Sequence, residues 1–159
     1  MHPTHNSLSE NIRTQSVGLL NKHLAAAIDL QAQMKQAHWN VRGPNFIAIH
    51  TLFDKVAGEV AGYADLIAER TGGLGGTADG TVQIAAERSF LMRYPLGVAK
   101  QEEHVFAVSS ALATFGESTR GAITQSASYG DAETSDLFTE IARGVDQQLW
   151  LVESHATPQ

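Results

Sequence analysis

The chain contains no cysteine among its 159 residues. Disulfides, thiolate metal sites and thiol nucleophiles are therefore excluded, and any metal ion must be held by His, Asp or Glu. No apolar run is long enough to span a bilayer, and residues 1–16 lack the basic start and apolar core of a secretory signal. We therefore expect a cytoplasmic protein with no membrane partner.

Positive charge and proline are also scarce. The 11 Lys and Arg residues are outnumbered by 17 Asp and Glu residues, which gives a formal net charge of −6. A negative surface repels polyanions and attracts cations, so nucleic acid is not the first partner expected. Four prolines and 43% hydrophobic residues are typical of one helical globular domain.

Apolar residues recur at spacings of three and four along four segments, which predicts four long helices. We expect these over residues 9–40, over 44–71, from Pro95 to about 121–124, and after a cap at Asp131. Short turns join the first pair and the last pair, and a long crossover with a short helix at 82–88 connects the pairs. The prediction is an all-α four-helix bundle over residues 9–155, preceded by a flexible N-terminal arm at 1–8.

The inner stripe of the first predicted helix becomes polar towards its end. After Leu24 and Ile28, the same spacing reaches Gln31, Lys35 and His38, which would point His38 inward. A core stripe that ends in such side chains is unusual unless water or an ion lies there. A hydrogen-bonded core histidine is the alternative interpretation of His38 taken alone.

The second predicted helix carries two pairs of ligand-type residues, each pair one turn apart. His50 and Asp54 form the first pair, and Asp65 and Glu69 form the second. Taken alone, the second pair fits a solvated helix face. Combined with His38, these nitrogen and oxygen ligands without sulfur suit iron, zinc or manganese.

Distance separates the two pairs. At a rise of about 1.5 Å per residue, Asp54 and Asp65 lie about 16 Å apart along one helix, too far to bind one ion. If two chains pair antiparallel about a two-fold axis, His38, His50 and Asp54 of one chain can face Asp65 and Glu69 of the other. The predicted site is then intersubunit, with two sites in each dimer. No glutamate is followed three residues later by histidine, so the usual intrasubunit di-iron motif is absent from the sequence.

The pattern resembles the signature of the Dps family, the mini-ferritins of bacteria. The matching motifs are Lys35-x-x-His38-Trp39-Asn40, Gly43-x-x-Phe46-x-x-x-His50-x-x-x-Asp54 and Asp65-x-x-x-Glu69-Arg70. The resemblance implies a ferritin-like bundle assembled as a hollow dodecamer. Iron would be oxidised from Fe²⁺ to Fe³⁺ at dimer interfaces by hydrogen peroxide or dioxygen and stored inside as ferric mineral.

The resemblance also implies individual roles. His38, His50, Asp65 and Glu69 would be iron ligands, and Asp54 a ligand of a second, weaker position in the same intersubunit site. Lys35 would tune that second position, or form a simple ion pair. Trp39 and Trp150 would quench radicals, and core packing is the alternative for both. A cation pore would be lined by Asp131, Asp136 and Glu140, for which the alternative is the favourable placement of acidic residues at a helix start.

The expected function is that of a ferroxidase and iron store that limits oxidative damage. One alternative is a DNA-coating protein of starved cells. Family members that bind DNA commonly carry a lysine-rich tail, whereas residues 1–16 hold one Arg and no Lys, and phosphate binding needs several cations. The other alternative is a non-enzymatic structural shell fastened by an interface metal such as zinc.

Overall fold

The computed structural model describes residues 1–156, which form five α-helices. These are α1 (Glu10–Asn40), α2 (Phe46–Gly73), α3 (Val82–Arg88), α4 (Gln101–Tyr129) and α5 (Ala132–Glu153). No strand forms in this part of the chain, where an isolated bridge pairs Arg42 with Lys100. The main packing is of α1 along α2 and of α4 along α5, and α1 also contacts α3 and α4. The predicted all-α bundle with a crossover helix is confirmed.

Local sequence sets several helix ends. The Ser9 hydroxyl accepts a hydrogen bond from the Ile12 N–H (3.3 Å) at the start of α1, and the Asp131 carboxylate accepts one from the Thr134 N–H (3.0 Å) at the start of α5. Gly130 ends α4 with φ +89°, a left-handed conformation that glycine adopts without strain. The caps therefore lie at polar residues or glycine just outside the apolar periods.

The bounds predicted for the third long helix are wrong at both ends. The helix begins at Gln101 rather than Pro95, because the preceding residues are irregular and bind the α1–α2 turn, with the Arg42 N–H donating to the Ala99 carbonyl (2.8 Å). It continues through the exposed Gly121 to Tyr129, because a glycine at the surface only weakens a helix and does not end it. The bounds of α2 shift by two residues at each end, to Phe46–Gly73.

The inward orientation predicted for His38 is also wrong. The buried stripe in this half of α1 consists of Leu30, Met34 and Ala37, each with no exposed surface. Gln31, Lys35 and His38 lie beside that stripe and are partly exposed. Because these three polar side chains are not buried, no ion is needed to compensate for their burial. They remain accessible to an ion from the solvent.

Phenylalanines from three helices fill the bundle core. Phe53 of α2, Phe115 of α4 and Phe138 of α5 have no exposed surface. Burial of one such side chain stabilises the fold by about 1.5–3 kcal/mol. No helix within residues 1–156 combines the length and apolarity needed to cross a membrane.

A histidine is buried among these rings. His23 is 1% exposed, and the rings of Phe90, Phe115 and Phe138 surround it at centroid distances of 5.7, 6.4 and 4.9 Å. Its Nδ1–H donates to the Leu19 carbonyl (2.9 Å), so Nε2 accepts the hydrogen bond from the Ser118 hydroxyl (3.0 Å). Burial lowers the pKa of His23, and the hydrogen bonds only partly oppose this effect. The imidazole therefore stays neutral to a lower pH in the folded chain than in the unfolded chain.

Acid is expected to destabilise the metal-free protein through His23. Because the folded-state pKa lies below the unfolded value of 6.5, the unfolded chain takes up the proton first. This contribution to stability is present above pH 6.5 and is lost as the pH falls below it, by at most about 1.4 kcal/mol per pH unit for one group. Thermal unfolding between pH 8 and 5, at fixed protein concentration, should show a steeper fall for the parent than for His23→Gln.

The exposed histidine His155 provides the matched control, since His155→Gln should keep the parental pH slope. Some slope should remain in His23→Gln, because burial also lowers the pKa of His104. An equally steep fall in the parent and in His23→Gln would contradict the assignment.

Candidate metal site

Two histidines face each other where α1 ends and α2 begins. The His38 Nδ1–H donates to the His50 carbonyl (2.7 Å), and the His50 Nδ1–H donates to the His38 carbonyl (2.8 Å). The rings stack with centroids 3.7 Å apart and an interplanar angle of 20°. Because a carbonyl can only accept, both Nδ1 atoms carry the proton, and both Nε2 lone pairs are left for a metal ion.

An ion pair lies next to the histidines. The Lys35 Nζ is 2.6 Å from the Asp54 Oδ1, and the same ammonium lies 5.7 Å from the centre of the Trp39 ring. The hydrogen bond from Lys35 is the main cause that lowers the pKa of the Asp54 carboxyl, and His38 and His50 act in the same direction. Asp54 is therefore a charged carboxylate paired with an ammonium group that another cation could displace.

The second carboxylate pair lies further along α2. Asp65 and Glu69 are exposed, and Asp65 follows Asp54 by eleven residues, which is about three helical turns and returns to the same face. Within residues 1–156 of one chain, no three His, Asp or Glu side chains come close enough to hold a metal ion. The structure thus brings His38 and His50 together, places Asp54 in an ion pair with Lys35 beside them, and leaves Asp65 and Glu69 apart.

Two glycines of α2 lie between the imidazole half of the candidate site (His38, His50 and Asp54) and its carboxylate half (Asp65 and Glu69). The spacing of the ligand residues did not single them out. Gly58 and Gly62 are exposed, and a Cβ added to either would meet nothing within 4 Å. Along the sequence, His50 and Glu69 are equally far from the point between Glu59 and Val60, and so are Asp54 and Asp65. The two glycines are centred on Val60. The sequence feature that could have pointed to this position was the pair of glycines, one turn apart inside a strong helical pattern.

Both tryptophans lie on the surface of the single chain. Trp39 is 66% exposed and Trp150 is 64% exposed. Core packing within one chain therefore explains neither of them. Trp39 is on the Lys35 side of the histidine pair, and Trp150 is near the end of α5.

The three predicted pore residues differ in their surroundings. Asp131 has no exposed surface, and its Oδ1 accepts a hydrogen bond from the Arg70 Nη2 (2.7 Å). Its Oδ2 accepts one from the Thr134 hydroxyl (2.6 Å). Burial raises the pKa of Asp131, but hydrogen bonds from Thr134 and the charge of Arg70 hold it below its ordinary value. These contacts identify Asp131 as a helix cap, while its pore role stays a prediction.

Asp136 and Glu140 are exposed one turn apart on α5. Glu140 lines an open depression of about 520 Å³ together with Glu59 and Asp65. Acidic side chains thus extend from the predicted pore residues on α5 towards the carboxylate half of the candidate site.

Comparison with known proteins identifies the family. The ferritin-like domain family matches residues 17–157. The DNA protection during starvation protein of Agrobacterium fabrum is 40% identical over 154 residues, which cover 97% of this chain and 95% of that protein. The chain belongs to the Dps family of ferritin-like proteins. The family and the ferritin-like fold predicted from the sequence are both confirmed.

Solved Dps structures superpose closely on this Dps-family chain. The tetragonal form of Mycobacterium smegmatis Dps has a TM-score of 0.92 at 30% identity, covering 98% of this chain and 93% of that one. Dps from Microbacterium arborescens in the high iron form has a TM-score of 0.84 at 34% identity, covering 91% and 93%. Nearly the whole chain therefore takes part in the shared fold.

Proposed function

We propose that this Dps-family chain oxidises ferrous iron at sites shared by two subunits and stores the ferric product in a hollow dodecameric shell. Iron is the substrate and the cargo, with two positions per site, and hydrogen peroxide or dioxygen is the oxidant. One observation carries the proposal. The imidazole half and the carboxylate half of α2 lie at equal distances along the sequence from a midpoint flanked by the exposed Gly58 and Gly62, where an added Cβ would meet nothing within 4 Å.

An antiparallel pair of α2 helices crossing at that midpoint brings the halves together. A two-fold axis between Glu59 and Val60 sets His50 opposite the partner's Glu69 position and Asp54 opposite the partner's Asp65 position. Glycines at the crossing point allow the two backbones to approach closely. The exposed side chains of Ile47 and Leu66 on the same helix supply apolar contact area.

The side chains have distinct roles in this site. Carboxylates from Asp65 and Glu69 are hard ligands that favour the ferric product, and the Nε2 atoms of His38 and His50 keep the ferrous ion bound. Asp54 binds the second, weaker position once iron displaces the Lys35 ammonium. Trp39, exposed beside Lys35, and Trp150 are placed at the surface where they can donate an electron to a stray radical.

The reaction balances with peroxide as the named oxidant. Each of two ferrous ions gives one electron, the O–O bond of hydrogen peroxide breaks, and the ferric ions hydrolyse to an oxyhydroxide, releasing protons to water. The carboxylates accept the higher charge of the ferric ions. Removing ferrous iron together with peroxide limits hydroxyl radical formation and thereby protects other molecules.

We propose that protection of DNA, named for the Agrobacterium relative, arises here from this chemistry rather than from DNA coating. The net charge of −6 opposes contact with phosphates. Arg13 is the one cationic Lys or Arg in residues 1–16, and it donates from Nη1 to the Leu74 carbonyl (3.0 Å) and from Nε to the Leu8 carbonyl (3.2 Å). The N-terminal segment therefore offers little free positive charge. A cytoplasmic location stays a prediction.

The double variant His38→Ala, Asp65→Ala is expected to lose rapid ferroxidase activity, because it removes a ligand from each half of the site. Ferrous iron at low loading is mixed with peroxide, and ferric absorbance is followed by stopped flow. We expect the initial rate to fall by at least about tenfold. The particle mass, measured by light scattering, should not change.

The matched control is His155→Ala, Glu117→Ala, which removes one exposed histidine and one exposed carboxylate away from α2. It should oxidise iron at the parental rate. An assembled His38→Ala, Asp65→Ala particle with the parental rate would refute the site. If chelation then also dissociated the particle, the structural shell with a fastening metal would be the better description.

A further inference from the structure

The turn between α1 and α2 is held by a distant part of the chain. Residues 41–45 connect α1, which carries His38, to α2, which carries His50. The reciprocal hydrogen bonds of the two imidazoles depend on the relative position of these helix ends. The Arg42 N–H donates to the Ala99 carbonyl (2.8 Å). The Asn45 N–H donates to the Oε1 of Gln101 (3.3 Å), the first residue of α4.

Gln101 acts as a cap for α2 supplied by another helix. Asn45 is at the N-cap position of α2, but its own side chain makes no capping hydrogen bond. The first N–H groups of a helix need acceptors from outside it, and the Gln101 amide oxygen supplies one. Gln101 is only 9% exposed, so its orientation is fixed by packing.

Gly43 fits this side chain closely. A Cβ at Gly43 would lie 2.7 Å from the Gln101 Oε1 and 3.1 Å from its Cδ, and the backbone there has φ +154°, which disfavours other residues. The turn and the amide group are therefore packed against each other with no room for a side chain between them.

The segment before Gln101 is fixed in turn by a buried histidine. His104 has no exposed surface, its Nε2–H donates to the Val98 carbonyl (3.2 Å), and its Nδ1 accepts the Tyr94 hydroxyl hydrogen (2.6 Å). Residues 94–104 thus form a rigid connection from the α4 core to the turn that carries the two imidazoles.

We propose that Gln101 is a positioning residue for the metal-binding pair His38 and His50, a role that rests on the function proposed above. Loss of its acceptor oxygen frees the start of α2 to shift relative to the end of α1. The stacked rings, whose centroids are 3.7 Å apart, then no longer keep both Nε2 atoms in place for metal binding. Supporting residues of this kind typically change metal affinity by about 10–100-fold.

The test uses cobalt(II), whose visible absorption reports its ligands and which peroxide-free buffer leaves unoxidised. Gln101→Met removes the acceptor at nearly constant volume and should weaken Co²⁺ binding by about tenfold and change the absorption bands. Gln101→Glu keeps an acceptor oxygen near two helix N-termini and should restore both. Gln83→Met, at an exposed glutamine of α3, is the control and should match the parent.

A Gln101→Met particle of parental mass that keeps the parental Co²⁺ affinity and spectrum overturns the proposal, as does a Gln101→Glu variant that is equally impaired. If Gln101→Met does not assemble, Gln101→Asn carries the same expectation, because its shorter amide does not reach the Asn45 N–H. The His38→Ala variant distinguishes failure of the proposed metal site from failure of the role proposed for Gln101. If it leaves Co²⁺ binding unchanged, the proposed site itself fails; if it abolishes binding while Gln101→Met does not weaken it, only the role of Gln101 fails.

Discussion

Mixed particles assembled from two inactive variants are expected to regain about a quarter of the parental ferroxidase sites. One variant carries His38→Ala, His50→Ala and the other carries Asp65→Ala, Glu69→Ala. In a dimer of one variant alone, every site lacks two of its five ligands. In a mixed dimer, one site lacks four of its five ligands and the other site is complete, because its imidazoles and its Asp65 and Glu69 carboxylates come from different chains.

The measurement is the amplitude of the fast oxidation phase per subunit after the two chains, carrying different tags, are co-expressed and purified through both tags in sequence. With random pairing, half of all dimers are mixed and each holds one intact site of two, which gives the expected quarter. Variants mixed only after assembly provide the control and should stay inactive. No recovery in co-assembled particles would mean that each site draws its ligands from a single chain.

The helices that follow local rules could be predicted well from the sequence. The short helix α3 begins after a Thr81 cap whose hydroxyl accepts the Ile84 N–H (3.4 Å), and its bounds agree with the prediction. The start of α4 could not be found this way. Pro95 suits a helix start locally, but the segment after it is held by the Arg42 N–H from another hairpin, and local periodicity carries no information about that bond.

The candidate site divides in the same manner. Spacing alone separated the ligand residues into two halves too far apart for one ion, which led to the intersubunit prediction. The contacts that orient the imidazoles could not be read from spacing, because each ring binds the other residue's backbone carbonyl. Nor could the contact of Gln101 with Asn45, since 56 positions separate these two residues and neither type is distinctive by itself.

For the predicted pore residue Asp131, a contact with a distant residue of the same chain changes the interpretation of its role. An acid at the start of a helix fits both a channel wall and a helix cap. Its partner Arg70 lies 61 positions earlier, and the sequence gives no sign that they meet. Burial and the Arg70 contact favour a structural role for this carboxylate, which stability measurements can test.

Replacing Arg70 with methionine is expected to lower the free energy of unfolding by about 3–5 kcal/mol, because it leaves the Asp131 carboxylate buried and without its cation. The Thr134 hydroxyl also loses the hydrogen bond that it accepts from the Arg70 Nε (3.0 Å). Asp131→Asn should cost only about 1–2 kcal/mol, since the amide oxygen still accepts the Thr134 N–H and the partly exposed Arg70 can reach water. Urea unfolding at one fixed protein concentration measures both changes.

The surface pair Arg120 and Asp146, at 2.7 Å with both side chains about half exposed, provides a matched control. Arg120→Met should change stability by less than about 1 kcal/mol because solvent screens that pair. The double variant Arg70→Met, Asp131→Asn should be more stable than Arg70→Met alone, since neutralising Asp131 removes the unpaired charge. Equal losses for Arg70→Met and Arg120→Met would mean that Asp131 reaches solvent in the assembled particle, and a channel role for its carboxylate would then be favoured over the buried cap.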